Sequence, residues 1–238
     1  MIYVRTILRR GAGVLVGAAL FCAPAFAGAG LLSPAQYEAA MLLPPPPAPG
    51  SARVVAERTE LHAIEKARTP ETLKRAQSDN DTKDATIFAE VMGPGFDLKK
   101  LPATAKLFAD VRVEEKLAAD AAKTFFKRDR PWIADDKLKP CSKEDAPQTS
   151  YPSGHATMGY SMGVVLAHLA PEKAQPIMTR AAEYAESRLV CGMHFRSDIE
   201  AGQLLGTVVA LELLQNPTFK TEYDAAVEEL RTAKLAAQ

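Results

Sequence analysis

Two of the four histidines in this chain stand where imidazole could do chemistry. His155 closes the segment Tyr151-Pro152-Ser153-Gly154-His155, in which a proline and a glycine bring the chain into a helix start. The leading N–H groups of a helix are unpaired and carry partial positive charge, so such a start can hold an anion, and Gly154 would let that anion approach the backbone. A plain helix cap accounts for the same residues. His194 and Asp198 are four apart; on a helix they would share a face. The carboxylate could then accept from one imidazole nitrogen and leave the other free as a base or nucleophile. An ordinary surface pair is the alternative. Arg188, six residues upstream across Gly192, could turn back toward the same place. Lys123 and Arg130, seven apart at the end of a long helix, would project two cations to one side. A solvated basic face made of Lys123, Lys127, Arg128 and Arg130 is the plainer reading. His62, on the polar face of a helix, and His168, at a helix end before Pro171, read as structural or solvated.

The elements that must position these groups are helical. Apolar residues at Leu107, Val111, Ala118, Ala121, Ala122 and Phe125 recur at three, four and seven, which predicts a long amphipathic helix from Thr104 to Lys127 that ends near Arg130-Pro131. Shorter helices are expected over 34–43, 52–68, 70–77 and 85–92, with a polar break at 79–84 and a stop at Gly93-Pro94-Gly95. After a proline-rich connection over 131–152, long enough to suggest a functional loop, come helices at 153–169, 171–189, 197–214 and 218–237. No alternating strand pattern of useful length interrupts them. The expected fold is therefore all-α, a single compact helical domain over 51–238 with no internal repeat. Residues 28–50 form an N-terminal arm, extended as polyproline through Pro44-Pro45-Pro46-Pro47-Ala48-Pro49-Gly50 and laid over the surface.

Composition narrows the class. With 238 residues and 47% of them hydrophobic, the chain can build a core, and the balance of 29 basic against 29 acidic residues lacks the excess expected of a nucleic-acid binder. Arg5, Arg9 and Arg10 precede an uncharged stretch from Gly11 to Phe21 that ends in Ala23-Pro24-Ala25-Phe26-Ala27. This pattern reads as a signal peptide cleaved after Ala27, hence a periplasmic or secreted protein, against the alternatives of a retained anchor or a lipoprotein at Cys22. No other apolar run approaches the length of a membrane span. Export leaves Cys141 and Cys191 as a pair in an oxidising compartment, where a disulfide closing 50 positions is expected over two buried free thiols. Two cysteines without a nearby histidine make no zinc site.

The pieces assemble into one pattern. Lys123, six residues, then Arg130-Pro131; Pro152-Ser153-Gly154-His155; and Ser187-Arg188, five residues, His194, three residues, Asp198, together resemble the three-part signature of the type 2 phosphatidic acid phosphatase (PAP2) superfamily. Leu43-Pro44-Pro45-Pro46-Pro47, Ser150-Tyr151-Pro152-Ser153-Gly154-His155 and Ser187-Arg188-Leu189-Val190-Cys191-Gly192-Met193-His194 are similar to the bacterial class A non-specific acid phosphatases, its secreted branch. Thr149 stands where that class usually has Gly, and Phe195 where another aromatic is usual. The resemblance implies hydrolysis of small phosphomonoesters, with nucleotides and sugar or aryl phosphates as substrates and inorganic phosphate or vanadate as site ligands. His194 would be the nucleophile and become phosphohistidine, Asp198 would hold its far nitrogen, and His155 would be the general acid and then base. Lys123, Arg130, Arg188, Ser153 and the Gly154 N–H would surround the phosphoryl oxygens. No metal or other cofactor is expected, since no carboxylate cluster suited to Mg²⁺ or Zn²⁺ is recognisable. No nucleic-acid polymer is expected as a partner; a homo-oligomer is left open. A vanadate-binding haloperoxidase of the same superfamily, a phosphatase for lipid-linked phosphate, and a non-catalytic phosphate binder are the rival readings.

Overall fold

Caps and prolines set where the helices begin. Ser51, Thr69, Ser153 and Asn216 each accept a backbone N–H of the following first turn, and proline occupies the first position of the helices starting at residues 70, 102 and 217, where its missing donor is not needed. The computed structural model describes residues 30–237, and the expected signal peptide lies outside them. The seven longer helices are α1 (Ala52–Ala67), α2 (Pro70–Asp81), α3 (Pro102–Phe126), α4 (Gly154–Leu169), α5 (Ala174–Val190), α6 (Arg196–Gln215) and α7 (Pro217–Thr232). Short helical turns at Pro34–Tyr37, Ala39–Leu42, Ala85–Phe88, Ala89–Met92, Pro131–Ala134 and Pro171–Lys173 complete an all-α fold, with no strand among the described residues. No helix among them is long and apolar enough to cross a membrane.

α4 is the axis. Met158, Met162, Val165, Leu166 and Leu169 are buried, and the helix packs against α3, α5 and α6. Its approach to α6 is close because α6 carries Gly202 and Gly206, one turn apart. A methyl group on Gly202 would sit 2.5 Å from the Ser153 carbonyl oxygen, and one on Gly206 would collide with the Thr157 carbonyl. The N–H of Ser153 also donates to the Asp198 carbonyl oxygen at 2.9 Å. The start of α4 and the start of α6 are thus fixed against each other, and these two starts carry the residues singled out by the sequence.

Four expectations about elements are corrected. α2 runs through the expected polar break to Asp81, because Asp79 and Asn80 face inward to tertiary partners instead of solvent. α3 ends at Phe126, where Lys127 takes a left-handed conformation (φ 49°), and so stops short of Arg130. Phe125, expected on the buried face, is 61% exposed, while its neighbour Phe126 packs edge-on against Tyr151 at 4.9 Å. The arm is extended from about Leu43 onward, as the proline run predicts, but it does not merely lie over the surface. Before that, Leu32, Tyr37 and Leu43 enter the main core, and the Tyr151 hydroxyl donates to the Pro44 carbonyl at 2.6 Å.

Cys141 and Cys191 are disulfide-bonded, tying the 131–152 connection to the end of α5. Reducing the bridge is expected to lower the unfolding free energy by about 4 kcal/mol, the chain-entropy value for closing 50 positions. Urea unfolding with and without reductant measures this. An unchanged midpoint would mean that the backbone bond from Cys141 N–H to the Cys191 carbonyl, at 2.8 Å, and its surroundings hold the loop unaided.

Candidate active site

His194 lies in the turn between α5 and α6, which Gly192 makes by adopting φ 63°, a conformation that favours glycine. The imidazole is 1% exposed. Its Nε2 is 2.9 Å from Nη1 of Arg130. A guanidinium has only donors, so Nε2 must accept, and the neutral ring carries its proton on Nδ1. Nδ1 faces Asp198 Oδ2 at 3.4 Å, longer than an ordinary hydrogen bond. The expected shared helical face is corrected here: His194 precedes α6, and Asp198, in the first turn, folds back over the helix start. Its carboxylate accepts the Phe195 N–H at 2.8 Å, the Ser150 hydroxyl at 2.6 Å and Arg128 Nη1 at 2.6 Å. Burial pushes Asp198 up to about 6 against the pull of those three donors.

His155 follows Ser153 and Gly154 at the start of α4, reached through a cis Tyr151–Pro152 peptide. Its Nε2 donates to the Asn80 carbonyl at 3.0 Å, which leaves Nδ1 as the nitrogen that titrates. The ring lies 5.6 Å from that of Tyr184. Burial lowers the pKa of both imidazoles well below the ordinary value, and Arg188 and Lys123 lower them further; Arg130 acts on His194 as well.

Lys123, Arg130, Gly154, His155 and His194 line one cleft of about 230 Å³. Lys123 projects from the last turn of α3, and its Nζ lies 3.1 Å from where a Cβ on residue 154 would be, so glycine leaves the ammonium room against the start of α4. Arg130 comes from beyond the helix end: the two cations converge through a loop, not along one helix face as expected. Arg130 is held by the Met193 carbonyl at 3.0 Å, by Thr149 Oγ1 at 3.2 Å and by Asp145 at 3.1 Å. Arg188, buried on α5, donates to Asn80 Oδ1 at 2.5 Å, and Ser153, also buried, caps α4 by accepting the Ala156 N–H; neither is among the residues that line the cleft. Burial lowers Lys123 and Arg130, and brings Arg188 down to about 10. A dianion in this cleft would relieve that concentration of positive charge.

Sequence reasoning missed two supports. Arg128, read as part of a solvated face, has a side chain only 8% exposed. It bridges Asp198 and Glu57, donates to Ser197 Oγ at 2.7 Å and lies over the Phe195 ring at 4.3 Å. The close spacing of Arg128 and Arg130 was the available signal; that one faces the carboxylates and the other the cleft depends on how the loop leaves α3. Asp79 accepts from Arg180 and from the Ser187 hydroxyl, and Asn80 contacts both His155 and Arg188. No motif marks them. Of the remaining histidines, His62 pairs with Asp135 at 3.0 Å and His168 contacts the Val164 carbonyl, both away from the cleft. Among the described residues no group of three or more His, Cys, Asp or Glu side chains is placed to hold a metal ion.

A buried imidazole backed by a carboxylate, a second imidazole across a small cleft, and cations converging on a helix start define the anion-handling site of a helical phosphatase-type domain. The PAP2 superfamily profile matches residues 113–222, which include every one of those groups. The chain is 30% identical over 202 residues to a non-specific acid phosphatase of Providencia stuartii, covering 81% of each chain. It is 29% identical over 204 residues to an acid phosphatase of Zymomonas mobilis, covering 83% of this chain and 77% of the other. The fold is similar to that of Aquifex aeolicus LpxE, with a TM-score of 0.52 at 20% identity over 69% of this chain and 96% of the other. The chain belongs to the bacterial non-specific acid phosphatases of the PAP2 superfamily, and it is a hydrolase.

Proposed function

We propose that this protein is exported and hydrolyses small phosphomonoesters of broad structure, nucleotides and sugar or aryl phosphates among them, through a phosphohistidine and without a metal. The observation that carries the reading is the contact between Arg130 and His194 Nε2, which keeps that lone pair directed into a cleft of cations. A phosphoryl group entering the cleft draws Arg130 onto its own oxygens and releases Nε2. Nε2 then forms a bond to phosphorus as the ester P–O bond breaks, and His155 gives its proton to the departing alkoxide. Neutral His155 next takes a proton from water, whose oxygen attacks phosphorus and displaces His194. Asp198 stabilises the positive charge on the phosphorylated ring. Lys123, Arg130, Arg188, Ser153 and the Gly154 N–H hold the non-bridging oxygens, stabilising charge in a loose transition state. Phosphate and vanadate are expected as competitive ligands of the same cradle.

Purified mature protein assayed against a panel of phosphomonoesters is expected to retain its activity in EDTA. Loss of activity in chelator, restored by a divalent ion, would overturn the metal-free mechanism. The pH profile follows from the sign of the histidine shifts. His155 must be protonated to act as acid, and burial followed by the nearby cations lowers its pKa, so activity falls as pH rises and the optimum lies on the acid side. A bound phosphoryl dianion offsets the cations. The alkaline limb of kcat should therefore lie at higher pH than that of kcat/KM, once the substrate's own ionisation is corrected for.

A further inference from the structure

Given the roles just proposed, attack by His194 and proton donation by His155 place the departing alcohol on the His155 side of the cleft. Besides the phosphoryl-handling groups, the cleft is lined by Lys83, whose charge acts on His155, and by Arg112, Glu115, Lys116, Asp120 and Met158; among the described residues no Phe, Tyr or Trp lines it. The lining therefore offers charge where stacking would need a ring. Arg112 and Glu115 lie three apart on α3, and Arg112 Nη1 donates to Glu115 Oε1. Glu115 is 1% exposed, and its Oε2 is buried without a hydrogen-bond partner. Such a group is costly, and nothing in the phosphoryl chemistry uses it. Lys83, on the loop after α2, makes no side-chain hydrogen bond or ion pair among the described residues, and its charge acts on His155.

We propose that Lys83 and Arg112 form a second anion subsite, selecting phosphomonoesters whose alcohol carries a further anionic group, a carboxylate or another phosphate. Glu115 is the internal counter-ion that the substrate's anion replaces on Arg112. The guanidinium is held facing the cleft by a carboxylate that gains little from the pairing, because one of its oxygens stays unsatisfied. Burial pushes Glu115 up to about 7 in spite of Arg112 and Lys123. The charged and titratable groups around it are Arg112, Asp120 and Lys123 on α3 and Tyr184 on α5, with Lys83, Lys116, Arg130, Asp145, His155 and His194 on the same cleft. As pH falls through about 7, Glu115 takes up a proton and Arg112 loses its internal partner, while a substrate carboxylate stays ionised down to about pH 4. The subsite thus opens in the acid range where the hydrolysis is expected to run.

The test compares kcat/KM for 3-phosphoglycerate and for its carboxamide, a pair matched in size whose ratio cancels the titration of the histidines and of the transferred phosphate. At pH 5 the ratio is expected to favour the carboxylate by roughly ten-fold or more, the worth of a hydrogen bond to a charged group. It should decline toward pH 8, fall to near one in Lys83→Met/Arg112→Met, and lose its pH dependence in Glu115→Gln. A wild-type ratio near one, or a preference that survives in the double variant, overturns the subsite. Should the double variant fail to fold, the wild-type ratio and the Glu115→Gln profile still decide. If neither ester is hydrolysed, the phosphatase reading itself has failed; equal hydrolysis of both removes only the subsite.

Discussion

His194→Ala is expected to form no phosphoenzyme on any substrate, whereas His155→Ala should still label when the leaving group is a good phenolate. The two imidazoles line one cleft, but their contacts differ. His194 presents Nε2 to Arg130 with Asp198 behind Nδ1, as the proposed nucleophile requires; His155 anchors Nε2 on the Asn80 carbonyl, which leaves Nδ1 for the proposed proton exchange. General acid help is worth about 10² to 10⁴ in rate, and a phenolate that leaves without a proton should recover much of that loss. His155→Ala should then accumulate phosphoenzyme, because water is no longer activated. In an acid-quench experiment the trapped phosphate should be acid-labile and stable to alkali, as a phosphoramidate is. Labelling of His194→Ala but not of His155→Ala would mean the roles are reversed.

The second large effect is on stability. Arg128→Met leaves two buried carboxylates, Glu57 and Asp198, without the guanidinium that joins them, and removing one partner of a buried pair costs about 3–5 kcal/mol. Burial alone would raise the Glu57 pKa, yet hydrogen bonds from Ser197, Arg53 and Arg128 hold it below its ordinary 4.5. The stabilisation from that pairing is present above about pH 4.5 and is lost as pH falls through the lower folded value. The gap between wild type and Arg128→Met in urea unfolding should therefore be widest near neutrality and close in acid. A loss below about 1 kcal/mol at pH 7 would show that water reaches these carboxylates and that Arg128 acts only locally. Catalysis should suffer along with stability, because Asp198 anchors the Phe195 N–H and with it the turn that presents His194.

Much of this was legible without coordinates. Apolar spacing marked the long helices, and proline and capping residues marked their starts, because these depend on side chains within one or two turns of each other. The signature from Lys123 to Asp198 carried the family, since its chemistry fixes residue types at short spacings. What the sequence did not show were partners distant in the chain. Asp79 and Asn80 look like a polar break until Arg180, Ser187, Arg188 and His155 arrive from about 75 to 108 positions away. Arg128 and Arg130 are two residues apart with similar side chains, but one is buried against Glu57 and Asp198 and the other against His194. Local pattern assigns a charged residue to solvent by default; only the tertiary packing decides which charges meet an opposite charge and can stay inside. The same holds for Gly202 and Gly206, whose lack of a side chain has meaning only because the backbone of α4 passes against them.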